Sequence, residues 1–137
     1  MTRPRVKRRN KHPEQRLQQH VAALLHAALD PARVWWTAID HSTKDALHAK
    51  IKHGMGVKAG LPDIWIVWRA RTVDNIIVHP HILCIELKSL RGVMSDAQDA
   101  LSATLWNLGV PVYVCDTLDG VIAALKEHGV PMRAKVW

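Results

Sequence analysis

Three charged residues sit where charge is costly. Asp63 stands at the lip of the apolar run Ile64-Trp65-Ile66-Val67-Trp68, just behind Gly60 and Pro62. Glu86 and Lys88 lie inside a second apolar run, "ILCIELKSL". A charge within a buried strand is expensive unless it is paired or bound to a metal. Strands alternate their faces with period two, so Glu86 and Lys88 project from one face and Leu87 from the other. If the two runs pair as a hairpin, Asp63 arrives beside that face. Two carboxylates then converge with an ammonium next to them. Hard divalent cations such as Mg2+ accept this set, because they bind through one or two carboxylates and complete their shell with waters and substrate phosphate. The lysine would orient or help deprotonate a water, or stabilise charge developing on a phosphate. Simpler readings exist. Asp is common in turns, and Glu86 with Lys88 could be a buried structural ion pair. Such a pair is often no better for stability than apolar residues of similar volume, which favours chemistry.

The elements that must position these residues follow from periodicity. Pro13 and Glu14 suit a helix start, and Leu17, Val21, Leu24, Leu25, Ala28 and Leu29 recur at helical spacing until Asp30-Pro31. Residues 34–39, "VWWTAI", read as a strand. Ser42 is a candidate cap for a short helix over about 43–53, stopped by Gly54. Residues 64–68 are apolar on both faces, which predicts a central strand. Residues 76–88 return as a strand with a break near Pro80. Ser95-Asp96-Ala97-Gln98 fits a capping box, and Ala97, Leu101, Leu105 and Leu108 supply the helix's apolar stripe up to Gly109. "VPVYVC" predicts a buried strand, and Thr117 and Gly129 bound a last helix. The order α-β-α-β-β-α-β-α describes an α/β mixed sheet flanked by helices.

The chain has 137 residues and a net charge of +7. Arg3, Arg5, Lys7, Arg8, Arg9 and Lys11 stand in residues 1–12 with no acid among them. Without those six of 19 basic residues, 13 face 12 acidic ones. The excess charge is thus a basic arm, expected to be disordered, ahead of a single domain over 13–137. Such an arm suits a polyanion, since each phosphate neutralised releases counterions; a solubilising tail or localisation signal is the plainer reading, and a role toward RNA is a minor one. Lys58, in the loop before Asp63, is a further phosphate candidate. No apolar run approaches the roughly 20 residues of a membrane span, and no apolar segment follows the basic residues as in a secretory signal. Cys84 and Cys115 both lie in apolar runs and are expected to be reduced and buried, as in a cytoplasmic protein. The nine histidines are irregularly spaced and lack a Cys-x-x-Cys, which argues against zinc. Trp35 and Trp36 must point to opposite faces of a strand, and Trp106 on a helix is a candidate interface residue.

Pro62-Asp63 followed by Glu86-Leu87-Lys88 resembles the PD-(D/E)xK nuclease signature. The wider segments "KAGLPDIWIV", "CIELKSLRGVMSDAQ" and "LWNLGVPVYVCDTLDGVIAAL" resemble the VRR-NUC family in the same order, over roughly residues 14–126. The resemblance implies a restriction-endonuclease-like core that cleaves DNA phosphodiesters with Mg2+ or Mn2+. It implies that Asp63, Glu86 and the Leu87 carbonyl hold the metal, that Lys88 serves the attacking water, and that Gln98 belongs to the site. It also implies an acid on the first helix, for which Glu14 is the candidate. Gln98 and Glu14 each fit a helix terminus without chemistry. Short stand-alone members resemble homodimeric resolvases of four-way DNA junctions, which implies branched DNA as partner and a bacterial cell or phage-infected host as setting. Two alternatives stay open: a restriction-type or flap and duplex nuclease, and a non-catalytic nucleic-acid-binding module on the same fold.

Overall fold

A computed structural model describes residues 13–69, 79–89 and 92–133. Eight elements follow the expected order: α1 (Pro13–Ala28), β1 (Val34–Ala38), α2 (Ala46–Gly54), β2 (Ile64–Arg69), β3 (Pro80–Leu87), α3 (Asp96–Asn107), β4 (Val112–Cys115) and α4 (Leu118–Glu127). The sheet order is β1-β2-β3-β4. β1 with β2 and β2 with β3 are antiparallel, and β3 with β4 is parallel. The sheet is mixed because β2 and β3 pair antiparallel, while α3 lies between the parallel strands β3 and β4 as the crossover that such a pair needs. This α/β architecture agrees with the expected restriction-endonuclease-like fold. No helix among the described residues is long and apolar enough to cross a membrane.

The register divides the sheet into two faces. Ile64, Ile66 and Trp68 of β2 share a face with Leu83, Ile85 and Leu87 of β3. They form one core with Val21 and Leu25 of α1 and with Val121 and Leu125 of α4. The other face carries Trp65, Cys84 and Glu86. Neither α2 nor α3 has a buried residue of its own. Both cysteines are free and buried, and burial pushes their thiols up, to about 12 for Cys84 and about 11 for Cys115.

Several local expectations change. Asp45 caps α2, accepting from the His48 N–H at 2.8 Å; Ser42 lies upstream, its own N–H donated to Asp40. The α3 stripe does not form a buried seam: Leu101 and Leu105 are half-buried, and Ala97 and Leu108 are exposed. Val114 is exposed because β4 is an edge strand. β3 starts at Pro80, which suits proline's missing N–H, and the expected strand residues 76–78 lie outside the described residues. The basic arm 1–12 lies outside them too. The capping box at Ser95 and the Thr117 cap form as expected, and Gly129 follows α4 with φ +66°.

Candidate active site

Antiparallel pairing puts Ile64 opposite Ile85, so the next pair outward is Asp63 with Glu86. The Ile39 N–H donates to the Asp63 carbonyl at 2.8 Å, which extends the β1–β2 ladder to the site. The Leu87 N–H donates to Asp63 Oδ2 at 2.7 Å. Both strands therefore hold Asp63, one by its backbone and one by its carboxylate. Glu86 is the only charged residue among the described ones that is buried. Lys88 brings its Nζ to 3.6 Å from Glu86 Oε1. The Lys88 N–H donates to the Cys115 carbonyl at 3.0 Å, so β4 anchors the lysine just past the end of β3.

Burial pushes the Glu86 carboxyl up to about 7, and the adjacent Asp63 charge pushes in the same direction. Lys88 pulls it down without cancelling the rise. Two carboxylates forced together in a dry place favour a cation or a proton between them. Among the described residues no three His, Cys, Asp or Glu side chains stand together as a metal-holding group. Two carboxylates still suit a hard divalent ion, which binds through one or two of them and keeps several waters. The donor set thus fits a hard, oxygen-preferring divalent ion better than zinc.

Gln98 serves two purposes at once. Its Oε1 accepts from the Ser95 N–H at 2.9 Å, closing the capping box. Its Nε2 then faces Glu86 and donates to Oε1 at 2.5 Å. The cap fixes the amide so that only its donor end meets the carboxylate. Gly60 lets this happen: it has φ +77°, and a Cβ there would fall 2.5 Å from the Ala97 carbonyl carbon. The loop carrying Asp63 therefore rests directly on the first turn of α3.

Glu14 reaches the rim. Its Oε1 lies 3.5 Å from the Ser89 N–H, a weak contact. A Cβ on Gly92 would meet that oxygen at 3.0 Å and the Lys88 Cδ at 3.2 Å, so the start of α1 and the lysine flank one glycine. Lys58 lies apart from the carboxylates, in the wall of a groove between α2 and the loop before β2. His41 is a site neighbour that sequence reasoning missed: its Nε2 is 3.1 Å from Asp63 Oδ1. Nothing local signals it. The β1–β2 register alone brings the residues beyond β1 alongside Asp63.

No curated protein and no solved structure matches the chain. The sequence profile of the VRR-NUC domain matches residues 4–118, beginning inside the basic stretch that the motif resemblance left out. With most of the chain covered, and with Asp63, Glu86 and Lys88 brought together on one sheet face, the chain belongs to the VRR-NUC domain family, nucleases of the PD-(D/E)xK type.

Proposed function

We propose that the protein is a metal-dependent DNA endonuclease that hydrolyses phosphodiesters, acts on branched DNA such as four-way junctions, and works as a homodimer. One observation carries the hydrolytic part: Asp63 falls opposite the buried Glu86 at the next step of the β2–β3 register, with Lys88 3.6 Å from Glu86. A purely structural ion pair would not need the second carboxylate, which raises the cost of burial. An intact Asp–Glu–Lys set also disfavours a non-catalytic module.

Asp63, Glu86 and the Leu87 carbonyl would hold Mg2+ or Mn2+. When bound, the ion neutralises phosphate charge and makes water a better nucleophile. The chain's own residues do the rest. Gln98 pins one Glu86 oxygen, which leaves the other for ligation. The Leu87 N–H pins one Asp63 oxygen in the same way. Lys88 orients the attacking water and stabilises negative charge on the phosphate as the bond breaks. Glu14, whose Oε1 lies near Gly92 as the Lys88 side chain does, would accept a proton from water arriving at that rim. Arg3, Arg5, Lys7, Arg8, Arg9 and Lys11 would meet DNA phosphates beyond the site. Reduced, buried cysteines are in keeping with a cytoplasmic setting.

Branch specificity and dimerisation are carried over by analogy with the family's short members. Support for a dimer comes from apolar side chains left exposed, Trp35 at 63% and Leu47 at 66% among them. The test is a cleavage assay with a labelled four-way junction, a flap, a plain duplex and a single strand, each with Mg2+, Mn2+ or EDTA, beside Asp63→Ala. Paired nicks in the junction alone, dependent on metal and lost in Asp63→Ala, are expected. Cutting of flaps or duplexes instead would keep the hydrolytic site and discard the junction reading. Full cleavage by Asp63→Ala would sink the site.

A further inference from the structure

Beside the carboxylates lies an open groove of about 510 Å3, walled by α2 on one side and by the loop before β2 on the other. Its lining includes His41, Lys52, His53, Val57 and Lys58. The inner end is His41, whose Nε2 is 3.1 Å from Asp63 Oδ1, so the groove opens directly onto the site. Gly60, also in its wall, rests on the start of α3 beside Gln98.

The charge of the groove is the reverse of that of the site. Lys52 and Lys58 are cations, and His41 and His53 add donors. The single carboxylate, Asp40, is already engaged: it accepts from the Ser42 N–H at 2.8 Å. That bond, helped by Lys52 and His41, holds its carboxyl below the usual carboxylate range. Lys52 is tethered as well, because its ammonium donates to the Ser42 carbonyl. A tethered lysine loses less side-chain entropy when it meets an anion. Ile39, Val57 and Leu61 add apolar surface to the same lining. Cations together with apolar surface suit the phosphates and sugars of a nucleic-acid backbone.

We propose that this groove holds the DNA strand next to the scissile phosphate, with Lys52, His53 and Lys58 taking backbone phosphate and the apolar residues taking sugar. The proposal rests on the nuclease reading and adds a substrate track to it. It accounts for an otherwise odd arrangement. Asp63 and Glu86 by themselves repel a polyanion, and the adjoining cations offset that repulsion where the strand must enter. It also gives α2, which buries no residue, a role on the site side of the sheet.

The test uses the full chain in EDTA, so that no cutting occurs, and a fluorescent four-way junction read by anisotropy across a salt series. Lys52→Gln with Lys58→Ala is compared with wild type; glutamine keeps a donor for the Ser42 carbonyl. Lys126→Gln, on α4 over the other sheet face, is the control. The double variant is expected to bind about tenfold more weakly. Its slope of log affinity against log salt should fall by about 2, since each lost phosphate contact removes about 0.9. Lys126→Gln should match wild type in both. Wild-type affinity and slope in the double variant would overturn the groove, as would an equal loss in Lys126→Gln. Wild-type cleavage with Mg2+ separates the two readings. Cutting by wild type with unchanged binding in the double variant discards the groove alone. No cutting by wild type with weakened binding in the double variant keeps the groove as a DNA site and discards the nuclease reading.

Discussion

On one face of the sheet α1 and α4 seal Ile64, Ile66, Leu83 and Ile85 away from water; on the other, α2 and α3 bury nothing of their own. The first face holds the apolar core. The second holds the buried Glu86, its Lys88 partner and a buried Trp65 Nε1 without a hydrogen-bond partner among the described residues. The difference separates two tasks. The α1/α4 face supplies most of the burial that offsets chain entropy. The opposite face tolerates costly charge because the first face holds the strands in register beneath it.

That division can be broken from either side. The largest effect expected is on catalysis: Lys88→Ala abolishes cleavage while the melting temperature and junction binding stay close to wild type. Glu86 can take up a proton once its ammonium partner is gone, so the fold survives. A Lys88→Ala protein that unfolds would instead make the pair structural. Next, Leu25→Ala on the core face costs about 2–5 kcal/mol in denaturant unfolding, yet leaves cleavage by the folded fraction unchanged. Gly60→Ala combines both faces' penalties. The left-handed φ alone costs about 1–3 kcal/mol. The clash with Ala97 must also move the Asp63 loop, so cleavage and stability drop together.

A smaller effect is expected with pH. Glu86 has its folded value raised to about 7, against an unfolded value of about 4.3. The folded state binds the extra proton between those values. The stabilising contribution is therefore complete below the unfolded value and is lost as pH rises through about 7. Without divalent metal, the melting temperature should fall from about pH 5 to about pH 7.5, and Glu86→Gln should flatten the fall. A flat wild-type profile would mean that Lys88 compensates the burial fully. The smallest effect is expected at the exposed apolar stripe of α2: Ile51→Ala should shift stability by no more than about 0.5 kcal/mol. A loss that grows with protein concentration would reveal a partner on that stripe and sharpen the case for a dimer.

How legible each feature was depended on its range. Caps, turns and strand periodicity are short-range, and Ser95 with Gln98, Thr117 and the apolar β2 read correctly from neighbours alone. The convergence of Asp63 with Glu86 and Lys88 was legible because period-two alternation and one hairpin suffice to place it. Ser42 misled because Asp45 competes for the same N-terminus, and an aspartate is as good a cap. The α3 stripe misled because periodicity states which side chains share a face, not how closely another element approaches that face.

The sequence by itself determined the element order, the alternation that sorts apolar from charged side chains along each strand, and the chemical set Asp63, Glu86 and Lys88. Those depend on residue type and on neighbours a few positions away. Only the tertiary structure decided that His41 meets Asp63, that Gln98 closes a cap and holds Glu86 with opposite ends of one amide, and that Gly60 lies on Ala97. It also decided that α2 lines a cationic groove beside the site. These depend on register and on the distance between elements far apart in the chain. Both are set by packing of the whole sheet against α1 and α4, which no local stretch encodes.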